Sequence, residues 1–154
     1  TEYKALSGVA QRVGVQNSMF GIFHDAGYKG LYGGLGCDSI KSRKGIPTNE
    51  NLMDRMGSTE LAANNFRLTQ ARDQLAESRG ISQQQAVRLH ESVGRKIRQT
   101  IADIGCTMPE NLLAAEHIKH ARKRIKKAKP QLKLEERDAK GLKAIPPPAD
   151  YDSL

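Results

Sequence analysis

Two groupings of side chains in this sequence are equipped for chemistry, and the larger is cationic. Lys119, Arg122, Lys123, Arg124, Lys126, Lys127 and Lys129 crowd into one short run. Residues 117–143 carry 11 Lys and Arg against 3 Asp and Glu, whereas residues 1–116 carry 14 against 12. The formal charge of +8 is therefore concentrated in one segment. Such clustering is the electrostatic footprint of a polyanion partner, most often nucleic acid. A merely solvated helix face is the ordinary alternative, and it gives no reason for a near-neutral remainder. Arg88, Arg95, Lys96 and Arg98 form a second basic group, on the side of a predicted helix away from its apolar stripe. With no Trp, four Tyr and three Phe, base stacking cannot be the main mode of contact. Backbone phosphates of single- or double-stranded DNA are the expected target, with weak sequence preference and steep salt dependence.

The smaller grouping consists of nucleophiles and metal-ligating types. Cys37 precedes Asp38 near a predicted helix start, with His24 or His90 as candidate bases, yet nothing in the spacing selects such a pair. His117 and His120 lie three apart on one helix face, but no CxxC, HExxH or carboxylate pair completes a metal site. Five glycines among residues 27–36 invite comparison with a phosphate-binding loop. The Gly-Lys-Ser/Thr ending and the preceding strand are both missing. No acidic cluster suggests a two-metal nuclease, and no carboxylate pair suggests general acid work. The expectation is a non-enzyme without metal or cofactor.

The elements that must position these residues read as all-α, because helical spacing of apolar residues dominates and no alternating strand pattern appears. Residues 2–13 place Leu6, Ala10 and Val13 on one side. Met19, Phe20, Ile22 and Phe23 follow Asn17 as a short apolar turn. Residues 27–36 are expected as an ordered loop, since glycine costs a helix about 1 kcal/mol per residue. Tyr28, Leu31, Tyr32 and Leu35 give that loop something to bury. Short helices are expected over 38–44 and 48–56. A long helix over 59–79 carries Leu61, Leu68 and Leu75, with Ala62, Phe66 and Ala76 beside them. Another opens at a Ser82/Gln85 capping box and stacks Ala86, Leu89, Val93, Ile97, Ile101 and Ile104. The short link between the two predicts an antiparallel hairpin. A last helix is expected from Thr107, with Pro109 in its first turn, to Lys129, stopped by Pro130. Its narrow edge of Leu112, Leu113, Ile118, Ala121, Ile125 and Ala128 is also suited to self-association.

A chain of 154 residues with 38% hydrophobic content suits one compact helical bundle plus an appendage. The expected divisions are a helical body over 1–116, a basic helical arm over 117–143 and a flexible tail over 144–154. No apolar run approaches the roughly 20 residues of a membrane span. Two cysteines are too few for a disulfide framework, and no signal peptide opens the chain, so a reducing cytoplasm is expected.

Four stretches together carry a family resemblance. They are Gly27-Tyr28-Lys29-Gly30-Leu31-Tyr32-Gly33-Gly34-Leu35, Met56-Gly57-Ser58-Thr59-Glu60-Leu61-Ala62-Ala63-Asn64, Val93-Gly94-Arg95-Lys96-Ile97-Arg98-Gln99-Thr100-Ile101 and Thr107-Met108-Pro109-Glu110. In this order they resemble the C-terminal region of the bacterial DNA-damage-inducible protein D (DinD) family. The resemblance implies an SOS-regulated bacterial cytoplasmic protein that inhibits the recombinase RecA and disturbs its filaments on single-stranded DNA. It also implies a Bro-type domain upstream, whose absence fits the missing initiator Met. It marks Tyr28, Tyr32, Ser58, Thr59, Glu60, Asn64, Arg95, Lys96, Arg98 and Gln99 without giving them roles. The stretch after about residue 115 departs from the family pattern. The alternative class is a DNA-binding regulator of the phage-antirepressor kind, in which this region mediates oligomerisation or contact with a repressor.

Overall fold

The computed structural model describes residues 1–143, apart from the side chains of 118, 119, 131, 132, 134 and 140–143. The expected tail at 144–154 and the Lys119 side chain lie outside the described residues. Six α-helices and three 3-10 turns form the described chain, with no strand among the described residues. The helices are α1 (Glu2–Arg12), α2 (Phe20–Leu31), α3 (Cys37–Lys44), α4 (Ser58–Glu77), α5 (Gln83–Ile104) and α6 (Ile118–Lys143). No described helix is long and apolar enough to cross a membrane. The chain divides into two units, Thr1–Ala115 and the residues from Glu116 onward.

Local chemistry sets most boundaries. The Ser82 hydroxyl accepts from the Gln85 backbone N–H at 3.1 Å while the Gln85 side chain accepts from the Ser82 N–H at 2.7 Å, so α5 starts at a complete capping box. Asp25 Oδ1 accepts from the Cys37 N–H at 2.7 Å and fixes the start of α3.

The glycine-rich stretch departs from expectation, because α2 continues through Gly27 and Gly30 to Leu31. The reason is a helix crossing. A Cβ on Gly30 would stand 2.1 Å from the Glu91 carbonyl oxygen, and one on Gly94 would stand 2.7 Å from both Gly27 O and Leu31 N. The backbones of α2 and α5 touch where these residues lack side chains, and that contact overrides the unfavourable helix propensity of glycine. Only residues 32–36 are loop. There Gly33 and Gly34 take φ of +67° and +99°, and the Gly34 N–H caps α2 by donating to Lys29 O at 2.7 Å.

Two apolar clusters fill the first unit. Leu6, Val9 and Ala10 of α1 meet Phe23, Leu68, Ala71 and Leu75 in one; Tyr28, Leu31 and Tyr32 meet Ile40, Leu52, Val93 and Ile97 in the other. The main partner of α4 is thus α1 and that of α5 is α2, although α4 and α5 also touch. The expected hairpin, with two stripes burying each other, is not the main packing. The buried face of α4 is also rotated from expectation: Glu60, Asn64 and Arg67 are buried while Ala62, Phe66 and Ala76 are exposed.

Two further expected helices are replaced by tighter turns. In 48–56 only Leu52–Arg55 is helical, as a 3-10 turn, because Asn51 Oδ1 takes the Met53 N–H and Thr48 O accepts from the buried Lys41 ammonium at 3.1 Å. Past Thr107 the chain makes only the 3-10 turn Pro109–Asn111. Lys44 Nζ donates to the carbonyls of Pro109 at 2.9 Å and Leu112 at 2.6 Å, and the Ala115 N–H donates to Arg55 O at 2.7 Å. Those backbone groups are spent outside a helix. Helix α6, in turn, runs through Pro130 instead of stopping there. Proline removes one ladder hydrogen bond, and the Leu, Lys, Glu and Arg that follow are good helix formers.

Candidate nucleic-acid interface

The basic segment is one helical surface. Among the described residues of α6, Arg122, Lys123, Lys126, Lys127 and Lys129 are exposed and have no carboxylate partner. His120, Lys123, Arg124 and Lys127 recur at steps of three and four, and their side chains border a shallow depression of about 370 Å³. Arg124 holds Glu116 at 2.6 Å, with both groups well exposed. Such a pair is worth about 0–1 kcal/mol, and a phosphate can displace it. The rings of His117 and His120 stand 6.1 Å apart, centroid to centroid. No cluster of three His, Cys, Asp or Glu suited to a metal forms among the described residues.

The second basic group is divided by the fold. Lys96 is exposed, and Arg95 makes only a surface pair with Glu91 at 3.2 Å. Arg98 grips Glu110 with both terminal nitrogens at 2.8 and 2.7 Å and donates to Leu31 O at 3.1 Å. Its guanidinium lies under Gly33, where a Cβ would come within 2.9 Å. The Arg98 hydrogen bonds hold the Glu110 carboxyl below its usual range, and Glu110 in turn raises the Arg98 pKa. Arg98 therefore ties α5 to the glycine turn and to the Pro109–Asn111 turn. Arg88 is exposed on α5, and Gln99 donates to Asp103 at 2.9 Å on the surface.

Within the first unit Tyr28, Tyr32, Glu60 and Asn64, four of the residues marked by the motifs, take part in a buried polar network. The Tyr32 hydroxyl donates to Glu60, Asn64 donates to the Tyr32 oxygen at 3.0 Å, and Lys44 Nζ pairs with Glu60 at 3.0 Å. Asn64 Oδ1 accepts from Arg67 at 3.0 Å, and the guanidinium of Arg67 also lies over the Tyr28 ring, 4.7 Å from its centroid. His90 Nε2 stands 2.7 Å from Arg67 Nη1, and His90 Nδ1 stands 2.8 Å from Phe23 O. A proton on Nδ1 and a lone pair on Nε2 satisfy both contacts. Burial, reinforced by Arg67, keeps His90 well below its ordinary pKa and His24 at about 4. Burial also raises Tyr28 to about 12 and lowers Arg67. Ser58 and Thr59 sit exposed in the first turn of α4, outside the network.

Arg67, Lys44 and the structural role of His90 were not legible from composition. The signal was Glu60, Asn64 and Arg67 at steps of four and three, in line with Leu68, Ala71 and Leu75. Polar residues on an apolar helical face indicate a buried network.

No hydrogen bond joins the candidate nucleophile to either candidate base. Burial pushes the Cys37 thiol upward, His24 Nε2 engages Ser7 Oγ at 2.9 Å, and both His90 nitrogens are occupied. His24, Asp25, Tyr28, Cys37 and Lys41 are among the residues lining a cleft of about 1050 Å³.

The site and fold together define an all-α chain with a buried polar network in its first unit and a helix bearing exposed cations in its second. The chain belongs to the DinD C-terminal domain family, whose model matches residues 1–121. It is 51% identical over 110 residues to the DNA damage-inducible protein D of Escherichia coli (strain K12), covering 71% of this chain and 40% of that protein. The chain thus spans less than half of that relative's length. No solved structure matches it. Most of α6 lies beyond the family match.

Proposed function

We propose that this domain is a non-enzymatic module of the DNA-damage response that binds and modulates recombinase filaments of the RecA type on single-stranded DNA. Helix α6 contacts the phosphate backbone. The observation that carries the reading is the row of exposed, carboxylate-free cations on α6: Arg122, Lys123, Lys126, Lys127 and Lys129. The name of the Escherichia coli relative, DNA damage-inducible protein D, supports the setting. The burial of the motif residues Tyr32, Glu60 and Asn64 supports a body that offers shape to a protein partner. Arg88, Arg95 and Lys96 are exposed cations of α5 available to it.

The test replaces Arg122, Lys123, Lys126 and Lys127 together by Ala and follows single-stranded DNA binding by fluorescence anisotropy across salt concentrations. Four lost phosphate contacts reduce the slope of log K against log salt by about 3. An unchanged slope removes α6 from the interface. Pull-down with RecA, with and without DNA, then asks whether the filament is the target. Capture of neither form discards the filament reading.

A further inference from the structure

Residues 112–117 set local sequence against tertiary setting. Leu112, Leu113, Ala114, Ala115 and Glu116 include the strongest helix formers, and Asn111 ahead of them is a good N-cap. A helix that begins at Ile118 has every local reason to begin at Leu112 instead. Yet none of residues 112–117 is helical, and Leu112 is extended, with φ −75° and ψ 137°. Leu113 stands 91% exposed.

Side chains of the body hold the segment open. Arg55 brackets Ala115: its Nε donates to Ala115 O at 2.7 Å, and its carbonyl accepts from the Ala115 N–H at 2.7 Å. Lys44 Nζ donates to Leu112 O at 2.6 Å. A helix would use the same backbone groups, with the Ala115 N–H donating to Asn111 O and Leu112 O accepting from the Glu116 N–H. Packing adds little, since Ala114 brings one methyl group to the second apolar cluster.

We infer that residues 112–117 are a two-state segment, either a strap pinned to the body by Arg55 and Lys44 or, once the pin opens, the first turns of a longer α6. Asn111 is ready to cap that helix. Its Oδ1 accepts from Arg43 at 2.7 Å and keeps a second lone pair for the Ala114 N–H. Opening leaves the buried network whole, because Lys44 keeps Glu60 and the Pro109 carbonyl. Pro109 itself stays buried in the turn before Asn111.

The state of the segment governs one cation of α6. In the strap form Glu116 holds Arg124 at 2.6 Å. In the helical form the two lie eight residues apart on one helix, about 12 Å along its axis and about 80° around it, and the pair opens. Arg124 then joins Lys123 and Lys127, beside which it already lies, without a carboxylate. A polyanion that captures Arg124 therefore favours the longer helix. This last step rests on the reading of α6 as a phosphate-binding helix; the two states do not.

The ¹³Cα chemical shifts of residues 112–117, in the 154-residue chain without DNA, test the switch. The parent is expected to show non-helical shifts there and helical ones from Ile118 onward. Arg55→Met keeps the aliphatic stem, removes the guanidinium, and is expected to move residues 112–117 to helical shifts. Leu113→Glu changes an exposed side chain and places a negative charge in the first turn of the longer helix, so a smaller movement in the same direction is expected. Unchanged methyl signals of Leu68 and Val93 show that the body is intact in each variant. Coil shifts in Arg55→Met overturn the inference, because the strap then only frays. Shifts unmoved in both variants, or already helical in the parent, overturn it equally. For single-stranded DNA, the slope of log K against log salt is expected to steepen by about 1 in Arg55→Met as Arg124 joins the phosphate contacts. An unchanged slope beside helical shifts overturns the link to Arg124 alone. The fourfold Ala substitution on α6 tests phosphate binding separately, so the two failures are distinguishable.

Discussion

Replacing Gly30 by Ala tests the close approach of α2 and α5 directly. The added methyl carbon would stand 2.1 Å from the Glu91 carbonyl oxygen and 3.0 Å from the Arg95 nitrogen, both backbone atoms held in the α5 ladder. An ordinary carbon–oxygen contact is about 3.3–3.6 Å, so the two helices must part locally by more than 1 Å. That separation loosens the cluster of Leu31, Val93 and Ile97 around the crossing. Overpacking of this kind costs about 1–3 kcal/mol and occasionally more. Alanine returns about 1 kcal/mol through helix propensity. Because the clash is backbone on backbone, the upper part of that range applies, and the net loss is about 2 kcal/mol. For a chain of this size the melting temperature falls by roughly 4–8 °C. The control is Gly8→Ala in α1, where a Cβ meets nothing within 4 Å. The same chemical change there stabilises by about 0.5–1 kcal/mol. Urea unfolding followed by circular dichroism reads both variants. A Gly30→Ala chain at least as stable as its parent would refute the crossing, and with it the explanation of why α2 tolerates its glycines.

Three other outcomes follow from the buried network and from the pairing of Arg98 with Glu110. His24 and His90 stay neutral in the folded chain, with pKa values lowered to about 4 and well below 6.5, and protonate near 6.5 once unfolded. The unfolded state therefore binds more protons, so the stability that these groups supply is full above pH 6.5 and drains as pH falls toward 4. Each histidine contributes a slope of about 1.4 kcal/mol per pH unit in that window, and replacing His90 by Gln is expected to flatten the urea midpoint against pH there. Glu60→Ala leaves the Lys44 ammonium, 3% exposed, without its carboxylate and is expected to lower unfolding free energy by about 3–5 kcal/mol. Arg98→Ala is expected to lower it by about 1–3 kcal/mol, whereas exposed Lys96→Ala leaves it unchanged. If Lys96→Ala weakens DNA binding without changing the urea midpoint, its effect is direct, while any effect of Arg98→Ala on binding is to be read beside its loss of stability.

The sequence by itself determined what depends on near neighbours along the chain. The Ser82/Gln85 box, the Leu68 and Leu75 positions of α4, the Val93 and Ile97 positions of α5 and the cationic face of α6 all follow from spacings of three, four or seven residues. A helix needs only such local information to declare its caps and its wet and dry sides. Tertiary structure alone decided the rest. Gly27 and Gly30 read as loop because helix propensity counts a missing side chain as a loss, and only the arrival of Gly94 from α5, far along the chain, turns that absence into contact. Nothing in hydropathy marks Glu60, Asn64 and Arg67 as buried, because it scores each residue as though it faced water or oil. Buried together with Tyr32, Lys44 and His90, they hydrogen-bond to one another, and partners drawn from three helices and the turn after α2 are brought within about 3 Å only by the fold.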